Sequence, residues 1–233
     1  MQTSVRIEKR PEESARDYAY RALSLMIYEM VLRPGEKIVE SEIAARLELS
    51  RTPVHDAFAR LEREKMLVNV PRGALVPRLR AESIRLNVWM FRTMCRAVLG
   101  ELYNHHFGSL ILMKKHIVKE QEALQNEDQS EMIRLYYDFY REMFQLARRG
   151  LVIEAMQRTS FDMCRLLGLL EDRQRWTELM ETHEDMVHAL AKHHYEDSIE
   201  AMETGFDLYE PILTLCQQQY PQYFENPKGV EEI

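Results

Sequence analysis

Apolar residues recur at steps of three and four along Ser14–Leu32. Tyr18, Tyr20, Ala22, Leu23, Met26, Ile27, Met30 and Val31 form one stripe, which predicts an amphipathic helix. Arg33-Pro34-Gly35 stops it, and Lys37-Ile38-Val39 reads as a short extended piece. A second helix is expected over Glu40–Leu47, with Ile43, Ala44 and Leu47 on one face. A third is expected over Thr52–Lys65, with Val54, Ala57, Phe58 and Leu61 as its buried stripe. Thr52 suits an N-cap, and Pro53 suits the first helical position, where its missing N–H is not needed. Met66–Val70 and Ala74–Pro77 then flank the turn Pro71-Arg72-Gly73, the pattern of a hairpin wing.

From Ala81 onward no run reads as a strand. The spacing predicts helices over Glu82–His105, Ser109–Gln125, Gln129–Arg148, Val152–Leu170, Thr177–His194 and Tyr195–Gln218. The expected fold class is mainly α: an N-terminal winged helix-turn-helix, carrying a small β wing, plus a C-terminal all-α bundle of six to seven helices. The division that follows is a flexible arm 1–13, a winged helix-turn-helix 14–78, a linker 79–81, a helical domain 82–220 and a polar tail 221–233. No internal repeat is evident.

Composition narrows the class. The chain is 45% hydrophobic and 30% charged over 233 residues, the balance of a globular protein. Eight glycines and eight prolines are too few for the turns of an all-β fold. The first ten residues lack the apolar segment of a signal peptide. No uninterrupted apolar run reaches about 18 residues, so a cytoplasmic protein without a membrane span is expected. Cys95, Cys164 and Cys216 match no zinc or redox spacing and read as reduced core thiols, with a sensing cysteine as the alternative.

The net charge of −7 argues against nucleic acid until the chain is divided. Residues 1–80 hold 15 Lys and Arg against 12 Asp and Glu, whereas the remainder holds 16 against 26. A mildly basic head on an acidic body suits a protein that turns one face to DNA. In a helix-turn-helix the N-terminal end of the second helix enters the major groove. Here that end carries Ser50, Arg51 and Thr52. Arginine can pair bidentately with guanine, and hydroxyls can serve bases or phosphates. Read alone, Ser50 and Thr52 are caps and Arg51 a solvated charge. The helix before them and the wing after them make a DNA-contacting set. At the wing tip Gly73 allows close backbone approach, and Arg72 can enter the minor groove or hold phosphate.

Several motifs occur in one order: Leu32-Arg-Pro-Gly-Glu-Lys-Ile38, Glu42-Ile43-Ala44, Leu49-Ser-Arg-Thr-Pro-Val54, Leu61 and Pro71-Arg-Gly73. Over about residues 15–78 this resembles the GntR family of bacterial regulators. The resemblance implies operator contacts from Ser50, Arg51, Thr52, Arg72 and Gly73. Where the family commonly reads Val-Arg-Glu-Ala-Leu, this chain has Val54-His55-Asp56-Ala57-Phe58. His55 therefore takes the place of a frequent arginine contact, with consequences for the operator sequence and for affinity at neutral pH.

The helical remainder resembles the FadR-type, or FCD, subgroup of that family. The resemblance implies a homodimer, a double-stranded DNA operator and a small-molecule effector such as an organic acid. Many members hold a divalent metal through one aspartate and three histidines. The matching positions here are Tyr136, Tyr140, His183 and about Gly205. One ligand type of four cannot make a tight site, so no metal and no other cofactor is expected. Tyr136, Tyr140 and His183 are expected instead to hydrogen-bond an effector directly, with Arg92, Arg96 and Arg165 as candidates for pairing its carboxylate. The alternative is an orphan regulator whose helical domain only dimerises or binds a protein partner. No phosphate loop, nucleophile elbow, Glu-x-x-His or His-Glu-x-x-His motif is present, so no enzymatic activity is expected.

Overall fold

A computed structural model describes residues 7–105, 110–149, 152–153 and 161–226. The chain divides into two units, one comprising Met1–Arg80 with Tyr220–Ile233 and the other Ala81–Gln219. Among the described residues no helix is long and apolar enough to cross a membrane.

In the first unit, α1 spans Ala15–Tyr28. Ser14 caps it by accepting from the Asp17 amide, leaving one fewer orphan donor at the helix start. Its buried face keeps Tyr18, Ala22, Leu23, Met26 and Ile27 of the expected stripe and adds Ala19, while Tyr20 and Val31 are only half-buried. The preceding arm is tied down from residue 7 onward. The Tyr18 hydroxyl donates to the Ile7 carbonyl, and Arg21 donates to both carboxylate oxygens of Glu13 and to the Glu8 carbonyl. The Arg21 guanidinium holds the Glu13 carboxyl down to about 2.

Helix α2 covers Glu40–Arg46 and α3 covers Arg51–Arg63. The N-cap of α3 is Ser50, not Thr52, and its hydroxyl makes no capping bond. Pro53 therefore sits third in the helix, still within the first turn, where amides have no intrahelical acceptor. Strands β2 (Val68–Val70) and β3 (Gly73–Leu75) form the wing. The extended piece Lys37–Ile38 is a third strand, β1, antiparallel to β3, giving the order β1-β3-β2 with Ile38 opposite Ala74.

Residues 221–226, expected as polar tail, and Tyr220, expected in the helical domain, are part of this unit. After a short 3-10 turn at Pro221–Tyr223, Phe224 forms a parallel bridge with Leu79, and both side chains are buried. Leu79 donates to the Tyr223 carbonyl and accepts from the Glu225 amide, each at 2.9 Å. Arg33 reaches the Tyr223 hydroxyl, Arg78 reaches the Gln222 carbonyl, and Arg80 pairs with Glu225. Buried Leu79 and Phe224 replace solvated tail by packed core.

The second unit contains α4 (Ala81–His105), α5 (Ile111–Gln125), α6 (Gln129–Leu146) and α7 (Phe161–Leu167). It continues with α8 (Arg173–Ala191), α9 (Tyr195–Asp207) and α10 (Tyr209–Gln219). The helix expected over Val152–Leu170 lies partly outside the described residues. Helix α8 starts earlier than Thr177, because the Asp172 carboxylate accepts from the amides of Gln174 and Arg175. The single helix expected over Tyr195–Gln218 is two. Pro211 explains the break: its ring would collide with the carbonyl four residues back, Asp207, so α9 ends there and α10 starts anew.

Candidate nucleic-acid interface and buried polar cluster

The turn between α2 and α3 passes through Glu48 at a φ of 55°. It delivers Ser50, Arg51 and Thr52, all exposed, to the start of α3. No acidic residue lies in the first turn of that helix, so its partial positive end is not offset. Arg51 makes no ion pair among the described residues. His55 lies one turn further along the same face, 67% exposed, with Nδ1 2.9 Å from Glu40 Oε1 of α2. That carboxylate raises the His55 pKa above its ordinary value.

The wing tip is a two-residue loop, Pro71-Arg72, closed by the pairing of Val70 with Gly73. Proline fixes a negative φ and Arg72 has a φ of 63°, the signs of a type II turn. Gly73 has a φ of 147°, and a β-carbon there would stand 2.3 Å from the Ile38 carbonyl oxygen. Lys37 donates to the Pro71 carbonyl, bracing the tip against β1. All six residues expected to meet DNA thus belong to the helix-turn-helix and its wing. Glu40 was not singled out by motif matching, and Lys37 stood in a motif without a role, because each acts through a partner distant in sequence.

In the second unit, Tyr136 and Tyr140 of α6 and His183 of α8 come together, as the resemblance to the FCD subgroup implied. Tyr136 stacks on the His183 ring at 4.8 Å, and Tyr140 meets it edge-on at 5.0 Å. Phe139 lies flat on the same imidazole at 3.9 Å and 6°. The residue the sequence did not single out is Glu120 of α5. Its Oε1 lies 2.8 Å from His183 Nδ1, and both side chains are fully buried. Four buried polar atoms of this cluster have no hydrogen-bond partner among the described residues: Tyr136 Oη, Tyr140 Oη, His183 Nε2 and Glu120 Oε2. Burial pushes the hydroxyl pKa values of Tyr136 and Tyr140 well up, so both remain donors.

The three arginines are placed otherwise. Arg92 pairs with Asp207 and Glu203, and Arg96 pairs with Glu203, all on or next to α9. Arg92 lines a surface groove of about 240 Å³ between α4 and α10, together with Arg85, Trp89, Asp207 and Glu210. Arg165 is buried and pairs with Asp162 on its own helix.

The residues present do not fit a divalent metal. Tyr136 and Tyr140 stand where ligands would be needed beside His183, and no group of three or more His, Cys, Asp or Glu suited to a metal gathers among the described residues. Gly205 has a packing role. A β-carbon there would stand 2.7 Å from Thr182 Oγ1, so glycine is what lets α9 lie close against α8.

Comparison with known proteins agrees with this geometry. Residues 15–76 match the family described as bacterial regulatory proteins, gntR family, and residues 108–207 match the FCD domain. The uncharacterized HTH-type transcriptional regulator YdhC of Bacillus subtilis (strain 168) is 23% identical over 170 residues, covering 70% of this chain and 75% of its own. Escherichia coli McbR/YncC superposes with a TM-score of 0.76 at 17% identity, covering 89% of this chain and 99% of that one. A GntR-type transcriptional regulator of Rhodococcus sp. RHA1 superposes with a TM-score of 0.73 at 20% identity, covering 89% and 100%. At these identities the superpositions speak for the fold.

Proposed function

Since the chain belongs to the GntR family and carries an FCD domain, we propose that it represses transcription as a homodimer on a short inverted-repeat operator, under control of a small molecule bound in the helical unit. The observation that carries the DNA-reading part is the uncommitted, exposed Ser50-Arg51-Thr52 set on a helix start free of acidic residues. Operators read by a dimer repeat their half-sites about one duplex turn apart. Such a protein works in the cytoplasm, beside the DNA it controls.

The test is a titration against the DNA immediately upstream of the protein's own coding sequence, at two salt concentrations. Sequence-selective, salt-sensitive binding is expected. Arg51→Ala should weaken selective binding by about 1–3 kcal/mol, roughly 5- to 150-fold, with little change in binding to unrelated DNA. Equal losses on both DNAs would mean that Arg51 only neutralises phosphate.

The dimer reading rests on α4. Leu86, Trp89, Met90 and Tyr103 are large apolar side chains left exposed on it, Trp89 at 62%. A second copy of the chain would cover that face. Trp89→Glu is expected to shift the sedimenting species from dimer to monomer at micromolar concentration. An unchanged dimer would place the interface elsewhere.

Effector control requires that the ligand bind the DNA-competent and DNA-incompetent states unequally. The unsatisfied donors and acceptors around His183 support a ligand-facing role for that cluster. A second reading, in which the helical unit only dimerises, is favoured by the commitment of Arg92 and Arg96 to Glu203 and Asp207. Ligand-induced thermal stabilisation separates the two.

A further inference from the structure

The pairing of α2 with α3 at Glu40 and His55 goes beyond a fixed DNA-contacting surface. We propose that Glu40 is a positioning residue that fixes the His55 ring on α3, aiming its Nε2–H at the operator, and that DNA binding is thereby coupled to the charge of His55. This rests on the DNA-reading function proposed above.

The geometry carries the proposal. Glu40 Oε1 engages His55 Nδ1 at 2.9 Å, which requires the proton on that nitrogen in the neutral ring or protons on both nitrogens in the charged one. In the neutral ring Nε2 is then an acceptor, which phosphate and guanine O6 and N7 repel. In the charged ring Nε2–H is a donor, which those same atoms accept. The bound carboxylate thus makes donor capacity at Nε2 depend on the second proton. An arginine at this position would donate at any pH. His55 lies on the exposed face that begins with Arg51, one turn before it.

The surroundings favour the charged ring. Glu40 contributes from α2, and Asp56 and Glu62 contribute from α3, all acidic. Arg16 of α1 faces this region but is bound to Asp56 at 2.7 Å, so its charge is offset. The His55 pKa is raised, chiefly by Glu40. The sign follows: the donor is present at low pH and is lost as pH rises through that raised value, so operator affinity falls with rising pH.

The experiment measures the dissociation constant of the full chain for the upstream DNA from pH 5.5 to 8.5 at constant ionic strength. Wild type, His55→Arg, His55→Gln and Glu40→Gln are compared, each checked by circular dichroism for an intact fold. Wild type should lose roughly five- to tenfold in affinity across the range. His55→Arg should bind with little pH dependence, and His55→Gln should be equally flat and weaker. In Glu40→Gln the midpoint should move to lower pH, an effect that a merely structural role for Glu40 would not produce. A wild-type profile parallel to that of His55→Gln overturns the proposal while leaving the DNA-reading function in place. Absence of selective binding by every form at every pH would defeat that function, and the proposal with it.

Discussion

Glu120→Ala is expected to destabilise the helical unit by about 3 kcal/mol, because it removes the carboxylate that engages Nδ1 of an imidazole that water cannot reach. At about 2–4 °C per kcal/mol for a chain of this size, the thermal midpoint should fall by roughly 6–12 °C. Glu120→Gln keeps an acceptor for a Nδ1–H donor and should cost about half as much or less. Tyr140→Phe is the counter-case. Its hydroxyl is buried without a partner among the described residues, so deleting it should leave stability unchanged or slightly raised. Thermal unfolding in the absence of added small molecules checks all three. A loss in Tyr140→Phe as large as that in Glu120→Ala would mean that the hydroxyl is satisfied, and that the cluster is a finished polar core. If Tyr140→Phe is neutral in stability yet abolishes ligand-induced stabilisation, the cluster is a binding site.

Gly73→Ala should have a comparable effect in the other unit. Two causes add. The backbone there has a φ of 147°, where L side chains are strained, and the new β-carbon would stand 2.3 Å from the Ile38 carbonyl oxygen. That oxygen belongs to backbone in β1 and cannot rotate away. A loss of about 2–4 kcal/mol is expected, read as a lowered unfolding midpoint of the N-terminal unit. Binding to the upstream DNA should fall with it, because the wing tip is displaced. Arg72→Gly should separate the two effects. Its φ of 63° is favourable to glycine, so stability should hold or rise by up to about 1 kcal/mol while DNA affinity falls. An unperturbed Gly73→Ala would show that β1 can retreat from the wing.

Local chemistry made much of this legible in advance. The residues around Ser50-Arg51-Thr52-Pro53 carry their own start signal, and Pro71-Arg72-Gly73 carries its own turn. Even there the cap lies two positions before the expected one: Ser50 and Thr52 are both good caps, and the helix begins at Arg51. Pro211 was also in view, but a long apolar periodicity masked the break it forces. Glu120 was hidden by its neighbours. Lys119, Gln121 and Glu122 make the run look like a solvated face. The signal was present as spacing, since Met113, His116, Ile117, Glu120 and Ala123 form the buried stripe of α5. A carboxylate on such a stripe calls for a partner from another helix. Which helix supplies it is a matter of tertiary structure, and the same holds for Glu40 and His55.

The seating of Phe224 against Leu79 has a bearing on biogenesis. Domains made first on the ribosome usually fold first. Here the half that reads DNA closes over a piece synthesised after the entire helical half. A nascent chain that has emerged only through Arg80 lacks the partner for the Leu79 backbone and the cover for its side chain. The seat of Leu79 in the N-terminal unit is therefore completed only after the whole helical unit has been synthesised. The same topology makes the helical half an insertion between two parts of its neighbour, and recombination between relatives must respect two junctions to exchange it.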